Sequence, residues 1–356
     1  MSLIQLPPDI YVPAFVVKVN DKRLDLPHIN RILEISVTEH LSPPSQFSFR
    51  LNDPKLEFID PQSGLFAEGT RVEISLGFAG NTRKMMAGEI SALTADFPNS
   101  GPATIYVEGF DLLHRLTRGT VYRTFGGEEA DSGMPDSEIV TQIAGEADLV
   151  GSVDKTPAPK QARVQNHKTN LAFLQRLAEE NGYFLWIDGK TLYFKREQPA
   201  LDTIKLKWGK TLMSFSPRLS TAGQVDEIEV RGWDPIQRQA VSSRAKRGGA
   251  ADNALAPAGR LQIGKGSGGK SERVIEDAHV TSAQEAQALA EKLVFDQNRV
   301  LITGSGSSPG PPDIRPGTIL DLSGIGRFNG EYVVEQVTHS IGGGGYQTSF
   351  EVKRRL

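Results

Sequence analysis

Gly69-Thr70-Arg71-Val72-Glu73-Ile74-Ser75 puts an apolar side chain at every second position, and Leu76 and Phe78 carry the alternation onward. Period two is the period of a strand with one face turned to a core. Gly317-Thr318-Ile319-Leu320-Asp321-Leu322-Ser323 repeats the pattern near the other end of the chain. Gly88-Glu89-Ile90 follows the first stretch and Gly330-Glu331-Tyr332 the second, at nearly the same distance. Val107-Glu108-Gly109-Phe110-Asp111 is echoed by Val230-Arg231-Gly232-Trp233-Asp234. The reading is a mainly β chain with two related antiparallel β-barrels, matched glycines marking the same turn or bulge in each. A homotrimer of such a chain presents six similar units around a threefold axis.

Outward from these stretches, Leu33, Ile35 and Val37, then Phe47, Phe49 and Leu51, alternate in the same way. Turn signals separate the runs at Pro43-Pro44, Asn52-Asp53-Pro54, Gly80-Asn81 and Pro98-Asn99. Residues 1–115 are therefore assigned to the first barrel. Residues 116–202 read as an α+β insert. Pro135-Asp136-Ser137-Glu138 opens one helix. Asn170, as N-cap, opens a second that carries Leu171, Leu174, Leu177 and Ala178 and stops at Gly182. Phe184-Leu185-Trp186-Ile187 and Thr191-Leu192-Tyr193-Phe194 flank Asp188-Gly189, a strong local signal for a hairpin. Residues 203–356 form the second barrel, beginning with the alternating Ile204, Leu206 and Trp208. Residues 241–272, rich in Gly, Ala, Ser and basic groups, read as a long flexible loop within it. A helix over 282–298 follows, announced by the capping box Ser282-Ala283-Gln284-Glu285.

Composition narrows the classes. The chain has 356 residues, a formal charge of −3 and no Cys. That excludes disulfides, Cys-ligated zinc, iron–sulfur clusters and thiol nucleophiles. Near-neutral charge argues against nucleic-acid binding driven by bulk electrostatics. The 36 Gly and 21 Pro favour many turns and short strands. The N-terminus lacks a basic, then apolar, leader, and no run approaches the ~18 apolar residues of a membrane span, so assembly in the cytoplasm is expected.

Gly264-Lys265-Gly266-Ser267-Gly268-Gly269-Lys270-Ser271 fits the phosphate-binding pattern G-x-x-x-x-G-K-[ST]. Its surroundings do not: Arg273-Val274-Ile275-Glu276 carries no apolar helical stripe, and too little mostly β chain follows to build a nucleotide domain. A flexible loop explains it better. The six histidines, at 28, 40, 114, 167, 279 and 339, show no metal-ligand spacing, and no G-x-S-x-G elbow occurs. The basic groups of Arg244-Ala245-Lys246-Arg247 and Lys353-Arg354-Arg355 read as solvated, and Trp186 and Trp233 as core.

Asn170-Leu171-Ala172-Phe173-Leu174-Gln175-Arg176-Leu177-Ala178-Glu179-Glu180-Asn181-Gly182-Tyr183, running on to Asp188-Gly189, resembles the FLQRLAEENGY…DG signature of the phage late control protein D family. Val230-Arg231-Gly232-Trp233-Asp234-Pro235 resembles its VRGWDP element. Arg315-Pro316-Gly317-Thr318, Phe328-Asn329-Gly330-Glu331-Tyr332, Val337-Thr338-His339 and Tyr346–Val352 resemble its closing segment. The resemblance implies a baseplate hub of contractile tails and injection systems, similar to the hub part of type VI secretion spike proteins. By that resemblance the hub is a homotrimer, joining a sixfold tail tube or tube-initiator protein to a threefold spike.

The expectation is therefore a structural protein and not an enzyme, with no catalytic, cofactor or metal residue nominated. Its expected partners are a separate spike protein, the tube, baseplate wedge proteins and a tape measure protein. No membrane span or sequence-specific nucleic-acid binding is expected. The protein is expected in the bacterial cytoplasm during assembly, then in the particle. A tail-associated cell-wall hydrolase and a nucleotide-binding protein using residues 264–271 are the alternatives.

Overall fold

A computed structural model describes residues 12–41, 44–59, 64–126, 133–157, 162–197, 203–219, 227–234, 237–246, 272–276, 280, 282–299, 302–310 and 312–355. The 264–271 glycine-rich pattern and His279 lie outside the described residues. The chain divides into two compact units. One is Met1–Asp202 with Ser308–Gly317 and Glu335–Ser349. The other is Thr203–Ser307 with Thr318–Val334 and Phe350–Leu356.

The first unit opens with strands β1 (Pro13–Val19), β2 (Lys22–Arg23), β3 (Ile32–His40), β4 (Gln46–Asn52), β5 (Arg71–Phe78), β6 (Asn81–Asp96) and β7 (Thr104–Asp111). A single-turn helix, α1 (Leu26–Ile29), sits between β2 and β3. The order β2-β1-β5-β6-β7-β4-β3 is antiparallel throughout. The alternating residues behave as period two demands: Ile35, Val37, Phe47, Phe49, Leu51, Val72, Ile74 and Leu76 are all buried in one cluster. Glu335–Gly342 of a later strand, β20 (Gly330–Gly342), then adds to β3 with Thr338 opposite Thr38.

The α+β part of the same unit holds β8 (Val121–Phe125), α2 (Asp136–Glu146), β9 (Val150–Val153), β10 (Arg163–Lys168), α3 (Asn170–Asn181), β11 (Phe184–Asp188) and β12 (Thr191–Lys195). The hairpin forms at Asp188-Gly189, with Gly189 at φ 58°, and β9 runs parallel to β12. The α3 N-cap is Thr169 and not Asn170: the Ala172 N–H donates to Thr169 Oγ1 at 3.1 Å. Asn170 instead turns its amide to Arg123 and Gln165. Gly182 closes the helix at φ 66°, where a side chain would be strained.

The second unit contains β13 (Thr203–Lys207), β14 (Ser214–Leu219), β15 (Glu227–Asp234), β16 (Gln239–Lys246), β17 (Glu272–Glu276), α4 (Ala283–Arg299) and β19 (Ile319–Ser323). It also takes parts of β18 (Ile302–Pro309), β20 and β21 (Gly345–Arg354). β16-β15-β17 form a separate three-stranded sheet, on which α4 packs Ala286, Ala290 and Val294 against Ile228, Val230, Val241 and Ala245. Residues 241–246, expected in a loop, are thus strand. Their inward side chains are as small as Ala245, so the alternation is faint in sequence. Arg244 bonds Glu229 at 3.0 Å, and Arg354 is buried, donating to the Asn329 carbonyl at 2.9 Å, so neither is merely solvated. Trp233 follows Glu229 and Arg231 on the outward face of β15 and is 52% exposed, which overturns its reading as core. Trp186 is half-buried and stacks on Tyr193 with centroids 4.9 Å apart.

The repeat survives at one of its paired glycines and fails at the next. Gly69 and Gly317 both adopt left-handed backbone, at φ 81° and 87°. The Thr70 carbonyl accepts from Ile90, and that of Thr318 from Val334, each at 3.0 Å. In the ladders, Gly88 stands opposite Val72, but its counterpart opposite Leu320 is Tyr332, while Gly330 faces Leu322. The Gly88/Gly330 match is therefore two residues out of register. Gly109 and Gly232 are each required by close approach: a Cβ would fall 2.3 Å from the Glu89 carbonyl oxygen in one and 2.1 Å from that of Val280 in the other.

Two substitutions separate these demands. Gly109→Ala should destabilise by about 1–3 kcal/mol through overpacking. Gly69→Ala, with open space around it, should cost only the left-handed backbone term, about 1 kcal/mol. Thermal melts of the two variants should rank them in that order.

Candidate functional site

The groups whose chemistry departs most from that of solvated side chains lie together in the first unit. They occupy inward positions of strands that are otherwise apolar. Glu39 follows Ile35 and Val37 on β3. Asp111 follows Ile105, Val107 and Gly109 on β7. His339 lies between Val337 and Ile341 on β20. Period two gives each no route to solvent.

Each of these groups is held by partners. Arg315 donates to Glu39 Oε1, and also to the main-chain carbonyls of Met85 at 3.0 Å and Lys84 at 3.3 Å. Two residues before Arg315, the carboxylate of Asp313 receives Arg83. The Leu113 N–H donates to Asp111 Oδ1 at 3.0 Å, and the Ser45 N–H to Asp111 Oδ2 at 2.8 Å. His339 Nε2 lies 2.9 Å from the Ile314 carbonyl, which fixes that nitrogen as the donor. Nδ1 then accepts from Tyr346 Oη at 3.0 Å or Thr348 Oγ1 at 2.9 Å. Tyr346 in turn covers Gly310, where a Cβ would fall 2.3 Å from the ring. Residues Ser308–Gly317 thus form a strap fastened at Gly310, Asp313, Ile314 and Arg315.

Burial sets the proton affinities. It pushes Glu39 up from 4.5 to about 7, against the pull of Arg315, and Asp111 up from 3.8 to about 6. It pushes His339 down from 6.5 to about 4, so the imidazole is neutral. Glu39 Oε2 is buried with no hydrogen-bond partner. Grooves of about 500 Å³ beside Arg123, Phe125 and Gln142, and about 360 Å³ beside Lys22, Asp25 and His28, include none of these groups. Glu39 and His339 clamp the strap through Arg315 and the Ile314 carbonyl, while Asp111 holds Ser45 and Leu113.

The other described histidines are dispersed. His28 contacts Asp25, His114 bonds the Asp111 carbonyl at 2.7 Å, and His167 packs at a tilt against Tyr122. Among the described residues no three His, Asp or Glu side chains converge as a metal site. Among them, too, no helix is long and apolar enough to cross a membrane. In the sequence Arg315 stands out only within a resemblance, His339 there and among the scattered histidines, and Asp111 only as the end of a repeated motif; Glu39 is not singled out at all. The available signal was a charged residue at an inward position of an alternating strand.

The profile of the family described as Alg8 N-terminal domain matches residues 12–343. Among curated proteins there is no sequence match. Solved structures share the fold. The 43 kDa tail protein of prophage MuSo2 from Shewanella oneidensis superposes with a TM-score of 0.72 at 15% identity, over 96% of this chain and 98% of that one. A tail protein from Neisseria meningitidis MC58 gives 0.67 at 14% identity, over 97% of each chain. The Escherichia coli c3393 protein is a component of the type VI secretion system with structural similarity to the T4 bacteriophage tail proteins gp27 and gp5. It gives 0.57 at 15% identity, over 96% of this chain and 77% of that one.

The clamp makes a pH prediction. Between pH 4.5 and 7 the folded chain holds a proton on Glu39 that the unfolded chain has released. The stability this contributes is complete below about 4.5 and lost as pH rises through 7. His339 acts oppositely: its contribution is complete above 6.5 and lost as pH falls through 4. Glu39→Gln removes only the first. Its melting temperature relative to the parent should therefore rise from pH 5 to about pH 7 and level off above it; a constant difference would show that Glu39 titrates normally.

Proposed function

The chain belongs to the family of the Alg8 N-terminal domain, and on its fold we propose that it is a structural hub of a contractile tail or injection system. In this reading three copies form a ring that adapts a sixfold tube to a threefold spike. The observation that carries it is a tail-protein fold shared along nearly the whole chain, 96% here and 98% of the MuSo2 tail protein. The paired left-handed glycines, Gly69 and Gly317, support two β regions of common design. The late control protein D resemblance points the same way. The likeness to c3393, a type VI secretion component similar to two T4 tail proteins, supports a part shared by tails and injection systems.

The reading assigns no reaction to the chain. Its partners would be a spike protein, a tube or tube-initiator protein, wedge proteins and a tape measure protein, met during assembly inside the bacterium. Light scattering on the purified chain should give three times 38.8 kDa at assembly concentration. Co-expression with spike and tube proteins of the same particle should yield a stable complex. A monomer that binds neither partner would refute the hub, and clearing of peptidoglycan in a zymogram would replace it with the hydrolase.

A further inference from the structure

We propose that the turn from Trp208 to Met213 is a docking surface for an acidic protein segment that brings an apolar side chain. Alternation in Ile204, Leu206 and Trp208 predicts an inward ring, but β13 ends at Lys207 and Trp208 is 59% exposed. Met213, at the other end of the same turn, is 60% exposed. Large apolar groups presented together on a surface mark interaction sites more often than isolated ones do.

The turn is rigid. The Trp208 N–H donates to the Ser323 carbonyl at 3.0 Å, and the Met213 N–H to that of Ser307 at 2.8 Å. Lys210, Thr211 and Leu212 all donate to the Lys207 carbonyl, and the Lys207 N–H donates to Thr211 Oγ1 at 2.9 Å. Gly209 takes the left-handed position at φ 74°, and Leu212 is wholly buried as an anchor. Trp208 Cβ packs above Gly324, where an added Cβ would lie 3.5 Å away. A backbone held this way loses little freedom on binding and presents its tryptophan in a fixed place.

Charge selects the partner. Residues 203–218 carry Lys205, Lys207, Lys210 and Arg218 and no acidic residue, in a chain whose net charge is −3. All four are exposed, and none forms an ion pair with a described residue. The neighbouring strand contributes one carboxylate opposite Lys205, that of Asp321. Exposed cations around an exposed apolar anchor complement an acidic surface with an apolar centre. Single-stranded nucleic acid fits less well, because it requires successive stacking rings along a groove, and this turn offers one ring. The surface stands apart from the hub reading and requires no trimer.

The test is fluorescence titration of the full chain with about ten-residue peptides: one of Glu and Asp around a central Leu-Phe pair, one with Ala for that pair, and one with Lys for the acids. An oligo-dT of similar length is the fourth probe. The acidic Leu-Phe peptide should bind best, and less tightly as salt rises. Trp208→Ala, and Lys207→Glu with Lys210→Glu, should each weaken it by roughly tenfold or more, while Lys22→Glu in the first unit should not. Circular dichroism melts check that the variants fold. Failure of the acidic peptide to bind, equal binding by all variants, or preference for oligo-dT would overturn the proposal. So would a homo-oligomer that dissociates on Trp208→Ala, since the occupant would then be a second copy.

Discussion

Arg315 holds together parts of the chain that sequence keeps far apart. Its guanidinium bonds Glu39 and the carbonyls of Lys84 and Met85, across sequence separations of 276, 231 and 230 residues. A planar fork of donors can meet a carboxylate and carbonyls at once, which a lysine cannot do in the same geometry. The consequence is a first unit whose core includes Ile341 and Tyr346 beside residues of the N-terminal strands. Closing so long a loop costs entropy that only specific contacts offset.

The clamp stabilises less than its contacts suggest. Glu39 gains an ion pair but gives up hydration, and one of its oxygens finds no partner. Buried pairs of this kind contribute little net stability, yet breaking one leaves a costly uncompensated charge. His339 completes the arrangement in the neutral form, because its burial outweighs its hydrogen bond to the strap. The strap is thus held by groups whose protonation depends on being buried together.

The two β regions share a turn more securely than they share a sequence. A left-handed backbone position selects glycine wherever it occurs, so Gly69 and Gly317 persist as a pair. Gly88 and Gly330 satisfy local needs in different registers. Gly88 faces a backbone carbonyl that a Cβ would meet at 2.1 Å, whereas Gly330 is left-handed at φ 139°. Letter matches between short strand–turn–strand units therefore align only as well as their ladders do.

Alternation in the sequence determined which face of β3, β4 and β5 is buried, because a strand has only two faces and water excludes apolar groups from one. Turn residues determined the Asp188-Gly189 hairpin and the end of α3 at Gly182, both local backbone requirements. Faint alternation around Ala245 hid β16, and the parity that made Trp208 look buried ended one residue before it. Which charged residues meet was decided only by the tertiary structure. Glu39, Asp111 and His339 each break an apolar pattern visibly, but nothing local says that strands so distant in sequence will bring Glu39 and His339 to one strap.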